Sequence, residues 1–370
     1  MEKAEKTPNL KGFTLKLDND KDDLYVTIKG YYGENEHVTI PECVQGLKIK
    51  EIYGEAFKGN EKIKKITIEK GITVIKFGTF EDCTELAEVE LPEGLQEICF
   101  KAFKGCKKLA KIQFPESILS IYDSAFEGCE ELTGVFIPKD VQNLNNDTFQ
   151  GCVKLKEIIA DDENLYFSTP DGVLLDKNQT MLIRYPEGKK ESSYKVPDTV
   201  VDIDNNAFKN CKELAAITLP GRLYSIGAGS FDGCEKLEEI TVQDGNPRLK
   251  TKDGVLFDKE EKTLLFYPIN RKETEYNIPD GIEHIRSGAF FNCKNLKSVS
   301  FPESLRMIRK DAFRDCENLV SITMPEKLKG ICSGAFCGCK QLKKVTLSRK
   351  TRIGHDAFEG LSAEFVYIGE

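Results

Sequence analysis

The chain has 370 residues, 40% of them hydrophobic, with a formal net charge of −8 and a pI near 5.3. Its lysines and arginines are interspersed among acidic residues, so the basic surface that nucleic-acid binding requires is lacking. No apolar run approaches the roughly 20 residues that cross a bilayer as a helix, and no direct membrane insertion is expected.

Residues 1–12 are polar and are expected to form a disordered tail. They hold no apolar segment of the secretion-signal type, which leaves a cytoplasmic protein or a mature exported form with a new start as alternatives. Residues 13–50 form the expected N-terminal β cap. Within it Phe13-Thr-Leu-Lys-Leu17 and Leu24-Tyr-Val-Thr-Ile28 alternate on either side of an Asp-rich turn, and they predict a hairpin that covers the open end of a core. His37-Val-Thr-Ile-Pro41 follows as a strand, with an enlarged turn through Gly46 before Ile49 and Ile52.

From 51 to 370 one pattern recurs eleven times, aligned on Phe57, Phe80, Phe103, Phe126, Phe149, Phe208, Phe231, Phe290, Phe313, Phe336 and Phe358. The step is 23 residues, except for two steps of 59 and a last one of 22. A period of this length predicts a solenoid. Five residues before the Phe stands an aliphatic residue such as Ile75 or Ile98, and immediately before it only Ala, Ser or Thr. Two residues after it come only Gly, Asp or Asn, the types that tolerate a left-handed backbone, so a helical turn is expected to end there. The following Leu-x-x-Ile-x-Leu-Pro, as in Leu86 to Pro92, alternates with period two and predicts a strand closed by proline. A second short extended segment such as 95–98 leads into the next turn.

The two longer steps contain insertions at about 162–197 and 244–279, which are copies of one another 82 residues apart: Asp171-Gly-Val-Leu-Leu-Asp176 matches Asp253-Gly-Val-Leu-Phe-Asp258. Each predicts a β-hairpin projecting from the solenoid, with turns at 177–180 and 259–263. Deleting 162–197 would restore the plain period, and the shortened chain is expected to fold. Glu364-Phe-Val-Tyr-Ile-Gly369 is the expected C-terminal cap.

The pattern Leu-x-x-Ile-x-Leu-Pro-x-x-Leu-x-x-Ile-x-x-x-Ala-Phe-x-Gly-Cys resembles the BspA-like, or treponemal-type, leucine-rich repeat, and it covers the chain from about Val38 onward. The resemblance implies a right-handed leucine-rich-repeat solenoid or horseshoe. It would have a parallel β-sheet on the concave face and short strands and helical turns elsewhere. It also implies export to the cell surface or secretion, and adhesion to a protein or glycan ligand on the concave face or the hairpins. A structural spacer within a larger surface assembly is the alternative function.

Nine of the thirteen cysteines share one column: Cys83, Cys106, Cys129, Cys152, Cys211, Cys234, Cys293, Cys316 and Cys339. Rungs about 4.8 Å apart would allow bridging, but a small apolar thiol also suits a core, and these are read as free and buried. Cys43, Cys99, Cys332 and Cys337 lie off the column, and Cys337-Gly-Cys339 has neither zinc nor redox-motif spacing. Three histidines far apart in sequence, His37, His284 and His355, offer no catalytic or metal constellation. No enzyme activity, catalytic residue, metal or cofactor is expected.

Most outward positions of the long strands are polar or small, such as Lys65, Thr67, Glu88 and Thr323. Two neighbouring coils differ, with Phe136 and Ile159 in the same outward column and Gly134 beside the Phe. Either the first insertion covers them through Leu165, Tyr166 or Phe167, or they form an apolar ligand-binding patch rimmed by Glu157, Lys156 and Lys111.

Overall fold

The computed structural model describes residues 9–20 and 23–369. They form two compact units, one of residues up to 189 with 204–211, the other of residues 190–203 with 212 onward. In both, most coils supply one longer and one two-residue strand, and neighbouring coils pair these in parallel. In the first unit Val74–Ile75, Glu97–Ile98, Ser120–Ile121 and Asn143–Leu144 make the narrow sheet. His37–Ile40, Lys65–Ile68 and Glu88–Glu90 make the wider one. In the second unit the longest runs are Glu275–Asn277 to Glu364–Ile368 and Thr263–Phe266 to Arg352–Ile353.

The core explains the repeat column by column. Phe80, Phe103 and Phe126 are fully buried and stack at 5.1 and 5.2 Å between ring centroids, and Phe313 and Phe336 at 5.1 Å. Each such pair contributes about 0.5–1.5 kcal/mol beyond its burial. The Phe N–H donates to the next coil, Phe80 to Ala102 O and Phe103 to Ala125 O, both at 2.8 Å, so the residue preceding each Phe must be small. Where it carries a hydroxyl, that group bonds its own turn, as Thr79 Oγ1 donates to Lys76 O at 2.8 Å.

A helical turn around each Phe is expected from the sequence and does not form. Among the described residues the one helical element is a 3₁₀ turn, Pro170–Gly172, outside the repeat proper. The residue two after the Phe is left-handed as expected, for example Asp82 at φ 59° and Gly105 at φ 74°. In most coils the residue two before it is left-handed as well, as Gly78, Asn206 and Gly334 at φ 57°, 55° and 64° and Glu55, Lys101 and Ser124 at φ 63°, 58° and 56°. Two such residues four apart forbid a helix, and tight turns stacked by inter-coil hydrogen bonds take its place.

The column cysteines are free and buried, and their thiols donate chiefly to a carbonyl of the preceding coil. Cys106 Sγ donates to Phe80 O at 3.2 Å, Cys129 to Phe103 O at 3.4 Å and Cys316 to Phe290 O at 3.0 Å. The thiol satisfies a core carbonyl of the preceding coil, a role that neither alanine nor valine could fill.

At the start of the chain Phe13–Asp20 and Asp23–Tyr31 form the expected hairpin, and its second strand pairs in parallel with Leu47–Ile52. Tyr31 stacks on Phe57 at 5.5 Å, extending the aromatic column into the cap. The expected disordered tail needs correction at its end. Gly12 O accepts from Tyr32 N–H at 2.8 Å and Leu10 O from Phe13 N–H at 3.0 Å, which fixes residues 10–12, while residues 1–8 lie outside those described. At the other end Glu364–Ile368 pairs with Lys344–Ser348.

The insertions contain the expected hairpins, but they do not project. Each is a three-stranded antiparallel meander: Phe167–Ser168, Leu174–Asp176 and Met181–Arg184 in the first, Leu249–Lys252, Val255–Asp258 and Thr263–Phe266 in the second. The third strand of the second meander continues the narrow sheet, with Leu264 opposite Ile285. Val173, Leu174, Leu175, Leu182 and Tyr185 are buried, as are Val255, Leu256, Phe257, Leu264 and Tyr267. These segments are coils of the core.

Candidate functional site

Gly134–Ile137 and Glu157–Ala160 pair in parallel as a two-stranded sheet, with Gly134 opposite Glu157 and Phe136 opposite Ile159. Strand alternation buries Val135, Ile137, Ile158 and Ala160, which leaves the two intervening apolar side chains outward. Phe136 is 46% and Ile159 43% exposed. The first insertion does not cover them. Leu165 and Tyr166 are themselves exposed, and Phe167 turns into the core.

What holds the insertion away is a buried asparagine. Asn164 Nδ2 donates to Pro138 O and Val141 O at 2.9 and 3.1 Å, and its Oδ1 accepts from Tyr166 N–H and Phe167 N–H at 2.8 Å each. All four bonding positions of the amide are used, so the chain path after Asp161 is set. Thr169 Oγ1 then accepts the Ala160 N–H at 2.9 Å. Gly172, at φ 72°, lies where a Cβ would come within 2.8 Å of Glu157 Cβ, so only glycine can seat the turn there. Asn246, Thr251 and Gly254 repeat the arrangement in the second unit against Pro220, Leu223, Val242 and Glu239. Asn164 and Asn246, Thr169 and Thr251, and Gly172 and Gly254 are each 82 residues apart, the offset at which the two insertions align, so the same alignment carried the signal for these three residues.

Of the expected rim, Glu157 stands beside Ile159 on the same strand, and Lys156 is exposed next to it. Lys111 falls in the column of Gly134 and Glu157 but on a segment with no strand pairing, 110–114, where Phe114 packs edge-on against Phe126 at 5.6 Å. None of these three charges has an ion pair among the described residues. The described residues contain no group of three potential metal ligands.

The model of the BspA type leucine-rich repeat region matches residues 50–169, 187–257 and 265–370, in six copies. The chain belongs to this family. Its fold is also that of three solved structures. A leucine-rich cell surface protein of Faecalibacterium prausnitzii A2-165 is 24% identical, with a TM-score of 0.60 over 98% of this chain and 95% of that one. A leucine-rich repeat protein of Eubacterium ventriosum is 21% identical, TM-score 0.57, over 90% and 94%. The pneumococcal vaccine antigen PcpA is 19% identical, TM-score 0.60, over 98% and 99%. No curated protein sequence matches the chain significantly. In this BspA-type protein the repeat builds the scaffold, and Phe136 and Ile159 are departures from it.

Proposed function

We propose that this BspA-type protein is a non-enzymatic recognition module, displayed at a bacterial cell surface or secreted. It binds a protein ligand on the outward face of its wider strands, in the manner of an adhesin. The observation that carries this reading is the exposure of Phe136 and Ile159 as direct register neighbours, on a face whose other outward positions are mostly polar. Apolar anchors rimmed by unpaired charges are the composition of a small contact site. The cell-surface designation of the Faecalibacterium protein supports the location.

The test is a binding screen against extracellular-matrix proteins, with wild type compared to the Phe136→Ala, Ile159→Ala double variant. About tenfold weaker binding at an unchanged melting temperature supports the site. Unaltered binding of a captured protein removes it.

A further inference from the structure

From Arg306 to Arg352 the second unit carries twelve lysines and arginines against four acidic residues, in a chain whose net charge is −8. The mixing of charges seen along the rest of the sequence fails here. Three of the four acids are engaged, Asp311 and Asp315 by Arg314 at 3.2 and 3.8 Å and Glu317 by Lys340 at 3.1 Å. Four of the cations gather along the narrow sheet. Arg306 and Arg309 flank its strand Met307–Ile308, Lys329 precedes Gly330–Ile331, and Arg352 opens Arg352–Ile353. The backbone links them coil to coil. Lys329 N–H donates to Arg306 O at 2.9 Å, and Arg352, opposite Gly330 in the register, donates its N–H to Lys329 O at 3.0 Å. Arg309, Lys329 and Arg352 are exposed, and Arg306 is half-buried.

None of these four has an ion pair among the described residues, and the Arg306 guanidinium bonds only carbonyls, Glu303 O at 2.8 Å and Leu305 O at 3.1 Å. Other coils follow a different rule. There a surface lysine meets a glutamate of the neighbouring coil, as Lys104 meets Glu127 at 2.9 Å, Lys212 meets Glu235 at 2.8 Å and Lys262 meets Glu283 at 2.9 Å. Like charges on adjacent rungs, about 4.8 Å apart, repel. The file therefore costs the scaffold stability, and packing gives no reason for it.

Its sign calls for an anion, and its extent over three successive coils calls for one with charges repeated along a chain. Nucleic-acid bases stack on exposed rings, and a bilayer is held by apolar anchors. Neither is provided: the only aromatic residues from 306 to 354, Phe313 and Phe336, are fully buried, and Ile353 is the one exposed large apolar side chain beside the file. Sulfate and carboxylate groups on a sugar chain need neither, and arginine meets such groups through two parallel N–H bonds.

We propose that Arg306, Arg309, Lys329 and Arg352 form a binding file for a linear acidic glycan, whose sulfate or carboxylate groups meet successive coils. This site is separate from the Phe136 patch and does not depend on it.

Fluorescence titration of the full chain at roughly 0.15 M salt tests the proposal, with dextran sulfate and polygalacturonate as the sulfate and carboxylate probes and uncharged dextran as the blank. Binding of at least one acidic probe is expected, and the probe that binds assigns the group. It should weaken about tenfold in Arg306→Gln, Lys329→Gln, Arg352→Gln at an unchanged melting temperature. Lys343→Gln, Lys344→Gln, Arg349→Gln removes the same charge along the wider strand and should bind as wild type does. Binding of neither acidic probe, equal binding of dextran, equal loss in the control variant, or tighter binding of duplex DNA or of phosphatidylglycerol vesicles would each overturn it.

Discussion

The ring of Tyr185 stacks on that of Phe208, with centroids 5.3 Å apart and planes at 30°, and Tyr185 N–H donates to Ala207 O at 2.8 Å. Tyr267 stands in the same relation to Phe290, at 4.9 Å. Each tyrosine thus occupies the phenylalanine column, and each insertion is a full coil of 36 residues followed by one of 23. Cys211 and Cys293 direct their thiols at the carbonyls of Tyr185 and Tyr267, at 3.6 and 3.8 Å, as other column cysteines do at phenylalanine.

The consequence for deletion is the reverse of what the period alone implies. Removing 162–197 keeps the numerical spacing but takes out Leu174, Leu182, Tyr185 and the Asn164 hub, all buried. Losing several large core side chains, at about 2–5 kcal/mol each, should leave no cooperative thermal transition for the first unit. Calorimetry showing a wild-type transition in the deletion variant would contradict the core role.

Asn164→Ala should destabilise by about 3 kcal/mol, because it orphans two carbonyls and two N–H groups in a buried site. Asn246→Ala should behave alike, having the same four partners in its own unit. Urea denaturation of both variants measures this, and a loss below about 1 kcal/mol would mean that water replaces the amide.

The cysteine column has a defined pH signature. Burial pushes the Cys83 and Cys339 thiols up to about 12 and raises those of Cys106, Cys129 and Cys316 well above the usual range. Since the unfolded thiol titrates near ~8.5, the stability linked to these protons is fully present below that pH and is lost as pH rises toward 12. Denaturation midpoints should fall over this interval, and in a variant with Cys43, Cys99, Cys332 and Cys337 replaced by serine thiolate absorbance should appear only on unfolding. Thiolate absorbance near pH 9 in that variant while folded would show the column to be open.

Cys129→Ser should cost about 1–2 kcal/mol. The hydroxyl keeps an acceptor in Phe103 O but is smaller than the sulfur it replaces, and the existing contact is already 3.4 Å long. A denaturation midpoint equal to wild type would place the side chain outside the packed column.

Most of the scaffold was legible because its columns admit few residue types. Gly, Asp and Asn after each Phe announce their left-handed backbone, and Phe136 lies 23 residues before Ile159. The left-handed position before the Phe was legible in most coils too, since Gly78, Asn206, Gly229, Gly288, Asp311 and Gly334 stand there, and it is masked only where Glu55, Lys101 or Ser124 takes the place, Glu55 and Lys101 each donating to the next coil. Tyr185 was not legible as a column residue because Tyr replaces Phe, Arg184 stands in place of the small residue, and Pro186 and Glu187 replace the x-Gly/Asp/Asn that follows in other coils. Whether Phe136 was covered depended on the path of 161–167, which the side-chain amide of Asn164 decides and no periodicity records.

A thiol that donates to a carbonyl on the neighbouring coil does the stacking work that a bridge would otherwise do. The coils are consequently held by contacts that no oxidant forms and no reductant breaks. A chain built this way reaches the same folded state on either side of a membrane, without disulfide-forming enzymes and without dependence on the glutathione poise of its surroundings.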